Sequence, residues 1–313
     1  MKGDLTAVVF PGQGTQRPGM GKDFYENIAV SRETYEEASR ILGWDVAALC
    51  FGDDERINLT EYAQPCILTT EVAMFRGLQA LYGFDPDYFG GHSLGEYAAL
   101  VAAGAMPFSD ALQTVAVRGR LMQEAVPAGE GAMAAVIADD LDIDWLRDIL
   151  SDLSVDIANI NSASQVVISG RADSMERVNE RLEKAGKETG GLRFVPLNVS
   201  APFHSRFMNV IKGTFREVLD QVAVKLRPDQ ASCVTSNYTG RFHAGKTASI
   251  VDALVSQVSG AVKWRDNMQA LAGSAHRIYE IGPNRPLKRF FQSIDIQCRS
   301  ITTFSAAARE FSS

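Results

Sequence analysis

Residues 88–103 read YFGGHSLGEYAALVAA. Tyr88 to Gly90 is a short strand candidate, Gly91-His92-Ser93-Leu94-Gly95 has the G-x-S-x-G spacing, and Glu96 to Ala103 reads as a helix of small residues. Strand, sharp turn and helix in this order are the context in which such a serine oxygen is exposed at the top of a sheet. The glycines matter because the chain passes itself closely there and a Cβ would obstruct it. The first N–H groups of the helix and its positive dipole end suit developing negative charge at the same point. The plainer alternative is a glycine-rich turn with a capping serine, since the five-residue pattern is common.

Upstream, LTAVVF at 5–10 runs into Pro11-Gly12-Gln13-Gly14 and reads as a central strand entering a glycine-rich turn. Helical spacing is found over 31–42, 65–82 and 109–124, the last with Ser109 as its expected N-cap. Strands alternating with helices predict an α/β fold with a largely parallel sheet. From 130 to 197 the rhythm changes to strand, helix, strand, strand, helix, strand (βαββαβ), a ferredoxin-like pattern. The first and last strands of that unit would lie close together, so it is expected to be an inserted small subdomain. The expected main subdomain, α/β-hydrolase-like, is then 1–129 with 198–313. HRIYEIG at 276–282 completes its sheet, and the polar end SAAAREFSS is expected to fray.

A chain of 313 residues, 46% hydrophobic and 22% charged, can bury a substantial core. Met1 to Phe10 has too short an apolar run for a secretory segment, and no stretch approaches the ~18 apolar residues of a membrane span. Cys50, Cys66, Cys233 and Cys298 are scattered, without a close pair or a histidine at metal-ligand spacing. Reduced thiols in a cytoplasmic protein, and no metal, are therefore expected. The net charge of -7 and the lack of a basic block argue against nucleic-acid binding.

A nucleophilic serine needs a base, and the histidines are His92, His204, His243 and His276. His92 is adjacent to Ser93, so its ring should point elsewhere and make a structural hydrogen bond. His276 opens a strand and His243 lies in a polar loop. His204, in Ser200-Ala201-Pro202-Phe203-His204-Ser205, follows the insertion at a proline-shaped loop and is the preferred base. The loop at 11–16 fails as a dinucleotide cradle because Arg17 stands where G-x-G-x-x-G needs glycine. It is either a plain turn or a donor of the Gln13 backbone N–H to an oxyanion hole, beside the N–H of Leu94.

PGQGTQ (11–16), AQP (63–65), GHSLGE (91–96), RGRLMQ (118–123), NINSASQVVISG (159–170), SAPFHS (200–205) and EIGP (280–283) occur in the order found in the malonyl-coenzyme A:acyl carrier protein transacylase family. The chain resembles that family, including the stand-alone acyltransferases of polyketide synthases, over nearly its whole length. Departures are Thr15, where serine is common, and Ser259-Gly260-Ala261, where a proline-containing turn often follows. The resemblance implies Ser93 as nucleophile, His204 as base, and the Gln13 and Leu94 N–H groups as oxyanion hole. It also implies the Gln257 main-chain carbonyl as the group orienting His204. Arg118 would grip the malonyl carboxylate, with Gln64, Asn161, Phe203 and His92 shaping the pocket; Leu94 and Phe203 resemble malonyl-selecting members.

The implied reaction is ping-pong transfer of malonyl from coenzyme A to a carrier-protein phosphopantetheine thiol through a Ser93 ester, in fatty-acid or polyketide synthesis, with no cofactor. Two alternatives use the same residues: a thioester hydrolase acting on carrier proteins, and an inactive carrier-binding scaffold. A monomer is expected. An acidic carrier would need a basic docking patch, for which Arg206, Lys212, Lys263, Arg265, Lys288 and Arg289 are candidates.

Overall fold

The computed structural model describes residues 4–189, 191–199 and 201–312. Ser200, the first residue of SAPFHS, lies outside the described residues. In chain order the strands are β1 (Thr6–Phe10), β2 (Tyr88–Gly91), β3 (Gly131–Ile137), β4 (Val155–Ile160), β5 (Gln165–Arg171), β6 (Arg193–Pro196), β7 (Thr235–Ser236), β8 (Arg241–Phe242), β9 (Arg277–Ile281) and β10 (Cys298–Ile301).

The run that reads AVVF is buried on both faces, as a central strand of a parallel sheet must be. Side chains alternate across a strand. Val8 and Phe10 accordingly enter the principal apolar cluster, while Ala7 and Val9 enter a second one with Trp264, Met268 and Leu271. β1 pairs in parallel with β2 and β9, and β9 with β10, giving the order β10-β9-β1-β2. The fold is therefore α/β with a parallel sheet. Glu280 of β9 accepts the Leu287 and Lys288 N–H groups, which ties the EIGP stretch to the start of the helix Pro286–Gln292.

β3 to β6 form a separate antiparallel sheet of order β4-β5-β3-β6. Ala134 and Val136 of β3, with Val166 and Ile168 of β5, pack under the helices Ile143–Leu150 and Ala172–Thr189. Their opposite faces, Met133, Ala135 and Val167, join the principal cluster. The second sheet is thus anchored to the body of the protein by its own alternation.

Two local expectations are corrected. The helix Phe108–Glu124 is capped by Pro107 and not by Ser109: proline fixes the extended residue before the helix, and Phe108 is already helical and buried. Up to Ser312 the carboxyl end is not frayed, because Phe304–Phe311 is a helix capped by the Thr303 side chain; Ser313 lies outside the described residues. Phe311 packs against Tyr82, Phe84 and Tyr279, and that aromatic contact outweighs the polar composition.

Helix Gly95–Ala102 lies so close to β1 that a Cβ on Gly95 would stand 2.1 Å from the Phe10 carbonyl oxygen. Gly95→Ala is expected to cost about 1 to 3 kcal/mol of stability as overpacking against immovable backbone. Gly213→Ala, with nothing within 4 Å of the added carbon in the helix Lys212–Ala223, should stabilise by about 0.4 to 1 kcal/mol. Urea unfolding of both variants checks the pair, and an unchanged midpoint for Gly95→Ala would contradict the close approach.

Candidate active site

Ser93 sits between β2 and the helix that begins at Gly95, with its backbone in the left-handed region at φ 51. A Cβ on Gly91 would lie 2.0 Å from the Gly95 carbonyl group, so the turn closes only with glycine there. Distant residues hold the turn from outside. The Ser93 N–H donates to Asn237 Oδ1 (3.3 Å), and Gln257 Nε2 donates to the Ser93 carbonyl (3.0 Å).

Across the turn, Ser93 Oγ lies 2.7 Å from His204 Nε2. His204 is only 4% exposed and is itself left-handed, at φ 57. Its Nδ1 lies 2.8 Å from the Gln257 carbonyl oxygen. A carbonyl only accepts, so Nδ1 carries the proton, and in the neutral ring Nε2 presents its lone pair to the Ser93 hydroxyl. Burial, and then the positive field of Arg118, push the His204 pKa down to about 3, so the ring is neutral around pH 7. Serine, imidazole and carbonyl make a chain that needs no third acid.

Arg118, from the helix Phe108–Glu124, is 1% exposed. Its Nη1 donates to Gln64 Oε1 (2.8 Å), and its Nη2 donates to Gln257 Oε1 (3.0 Å) and to Ser93 Oγ (3.1 Å). The guanidinium lies over the Tyr97 ring, 5.7 Å from its centroid. Among the described residues no carboxylate contacts it, and its Nε has no acceptor. A buried cation with an unused donor, pressed against an activated hydroxyl, has the charge and the geometry to receive an anion.

The remaining candidates surround these three. Gln64 Nε2 reaches Gln13 Oε1 (3.4 Å) and Gln13 Nε2 reaches Thr60, so the first loop is tied to the Arg118 network. Among the described residues, neither the Gln13 nor the Leu94 backbone N–H donates to a protein acceptor. His92 Nε2 lies 2.9 Å from Asn161 Oδ1, and Asn161 Nδ2 donates to Gln165, which links the Ser93 turn to the β4–β5 connection. The Leu94 and Phe203 side chains are buried in the principal apolar cluster. A cleft of about 460 Å³ reaches His204 and is lined by Arg147, Ile157, Ile160, Arg206 and Lys263 among others.

Of the basic residues considered for docking, Arg206 and Lys263 line this cleft, although Asp156 already pairs with Arg206. Lys288 lines a different hollow, beside Arg299 and Arg309, so the six do not all face one groove.

Sequence reasoning missed the residues behind the turn. Glu96 is fully buried, and its Oε2 accepts from the Asn237 N–H (3.0 Å), Asn237 Nδ2 (2.6 Å) and Gln257 Nε2 (2.7 Å). His243, passed over as a loop residue, is buried with its Nε2 3.0 Å from Glu96 Oε1. Burial pushes the Glu96 carboxyl up, but the His243 and Asn237 hydrogen bonds outweigh it and hold the group below the usual carboxylate range. One signal was available: Glu96 is a lone charge in an otherwise apolar helix.

The acyl transferase domain family matches residues 7–283. The malonyl CoA-acyl carrier protein transacylase of Bacillus subtilis (strain 168) is 39% identical over 302 residues, which cover 94% of this chain and 92% of the relative. An acyl-carrier-protein S-malonyltransferase structure from Burkholderia pseudomallei 1710b superposes with a TM-score of 0.90 at 38% identity, covering 99% of this chain and 100% of that one. A malonyl-transacylase solved in complex with its type II PKS acyl-carrier protein superposes with a TM-score of 0.85 at 33% identity, covering 98% and 99%. With a family match over most of its length and relatives this similar end to end, the chain is an acyltransferase and belongs to the malonyl-CoA:acyl carrier protein transacylase family.

Proposed function

We propose that the protein transfers malonyl from coenzyme A to the phosphopantetheine thiol of an acyl carrier protein through a malonyl ester on Ser93. The observation that carries this reading is the contact of Ser93 Oγ with both His204 Nε2 (2.7 Å) and the buried Arg118 Nη2 (3.1 Å). A nucleophile with its base is common to acyl transfer and hydrolysis alike. A buried guanidinium beside it, without a protein carboxylate, favours an acyl group that brings its own.

In the first half-reaction His204 Nε2 takes the hydroxyl proton as Ser93 Oγ attacks the thioester carbonyl carbon. The Gln13 N–H, from the turn after β1, and the Leu94 N–H, at a helix amino terminus, receive the oxyanion. The tetrahedral adduct collapses, the C–S bond breaks, and the imidazolium returns its proton to the coenzyme A thiolate. In the second half His204 takes the proton of the carrier thiol. The thiolate attacks the ester, the C–O bond breaks, and the proton goes back to Ser93 Oγ. The Gln257 carbonyl holds the imidazole tautomer throughout, and one thioester replaces another without a cofactor.

Arg118 grips the malonyl carboxylate in both halves, while Gln64, His92, Asn161 and Phe203 shape the acyl pocket. The cleft of about 460 Å³ at His204 is the right size for a pantetheine arm. We read 1–129 with 198–313 as an α/β-hydrolase-like catalytic subdomain and 130–197 as a ferredoxin-like insertion over the cleft. The similar transacylase in complex with its type II PKS carrier supports an acyl carrier protein as partner.

Ser93→Ala is expected to take no label from radioactive malonyl-coenzyme A, and a label surviving on the variant would place the nucleophile elsewhere. Arg118→Ala should lose malonyl loading ~100-fold, as for truncation of one member of a buried charge pair, with far less effect on acetyl loading. Equal losses of both would refute the carboxylate grip. The pH dependence follows from His204, neutral in the folded protein down to about 3 against 6.5 for an unperturbed ring. Labelling of Ser93 by a neutral sulfonyl fluoride should therefore stay flat from about pH 8 to about pH 5, and halving near 6.5 would contradict it. The same shift makes His204 a source of acid instability. The unfolded chain gains a proton below 6.5 that the folded one refuses, so stability falls from there towards about 3.

A further inference from the structure

The polarity of the Gln257 side chain is set from behind. A carboxylate is an acceptor only, and Glu96 Oε2 stands 2.7 Å from Gln257 Nε2. The second proton of that amide goes to the Ser93 carbonyl at 3.0 Å. With both N–H bonds committed, Oε1 must face forward, where it accepts from Arg118 Nη2 at 3.0 Å. Turned over, the amide would set its NH₂ against the guanidinium and its carbonyl against the carboxylate, two repulsions in a buried site.

We propose that Glu96 is a positioning residue for acyl-group selection: through the polarised Gln257 amide it serves as the counter-charge of Arg118, holding the guanidinium beside Ser93 where a malonyl carboxylate is received. This rests on the reading of Arg118 as the carboxylate grip. The arrangement places a negative charge one amide away from the guanidinium, opposing burial in part, yet leaves the Arg118 face toward Ser93 open to a second anion. Glu96 also favours the charged form of Arg118, against the burial that lowers its pKa. Three further donors, two from Asn237 and one from His243, keep the carboxylate satisfied.

Glu96→Gln keeps size, burial and an acceptor oxygen for Gln257 but removes the negative charge that polarises its amide. Gln257→Leu removes the bridge while retaining the main-chain carbonyl that His204 uses. Intact-mass measurement of Ser93 acylation from malonyl- and acetyl-coenzyme A is expected to show the malonyl-to-acetyl preference falling at least about tenfold in both variants. An unchanged ratio in Glu96→Gln or Gln257→Leu overturns the inference, including the case where both acylations fall in parallel, which marks a purely structural role. Should Glu96→Gln not fold, Gln257→Leu decides. Labelling by phenylmethylsulfonyl fluoride, which has no carboxylate, separates the two readings. A wild type that labels yet shows no malonyl preference removes the Arg118 grip and this inference with it. A wild type with the preference, retained in the variants, removes only the Glu96 bridge.

Discussion

The backbone of Ser93 stands at φ 51, where a residue with a Cβ is strained by about 1 to 3 kcal/mol. The turn closes on itself through the Gly95 N–H to the His92 carbonyl (3.0 Å), and further compensation comes from far along the chain. Asn237 accepts the Ser93 N–H and also donates to the Gly91 carbonyl, while Gln257 donates to the Ser93 carbonyl. Both amides are in turn held by Glu96, three residues beyond the serine. The helix that carries Glu96 is pressed on β1 at Gly95. The strained turn at Ser93 is thus clamped on one side by the sheet and on the other by a buried polar cluster.

Gln257 joins this clamp to the chemistry. Its carbonyl faces His204, its amide nitrogen faces Ser93 and Glu96, and its amide oxygen faces Arg118. A shift of that one residue would disturb His204, Ser93 and Arg118 together. The electrostatic coupling runs the same way. Burial and the Arg118 charge keep His204 neutral. An anion on Arg118 cancels part of that field, so the imidazole becomes a better base once an anionic acyl group is in place.

Much of this was legible because it rests on local rules. The AVVF run declared a strand buried on two faces, and the glycines at 91 and 95 declared a turn between strand and helix. The proline-shaped loop after β6 marked His204 by position. What was not legible depends on contacts between residues distant in sequence. Asn237 and His243 lie in polar loops with nothing local to distinguish them, yet both are buried against Glu96. Composition also misled at the carboxyl end, where Phe311 finds an aromatic cluster assembled from Tyr82, Phe84 and Tyr279. Helix capping failed at Ser109 because a proline two residues earlier had already set the boundary.

The cluster also explains why a carbonyl, and not a carboxylate, stands behind the imidazole. A carboxylate at His204 Nδ1 would raise the pKa of the ring and would lie close to Arg118, whose charge it would attract. The guanidinium would then have a protein partner, and its capacity for an external anion would fall. A carbonyl at 2.8 Å fixes the tautomer while adding no net charge. The acid in the neighbourhood, Glu96, is sealed behind two amides and a histidine. Separating the orienting group from the acid lets the same few ångströms hold a neutral imidazole and a guanidinium with no carboxylate against it, so that neither group cancels the other.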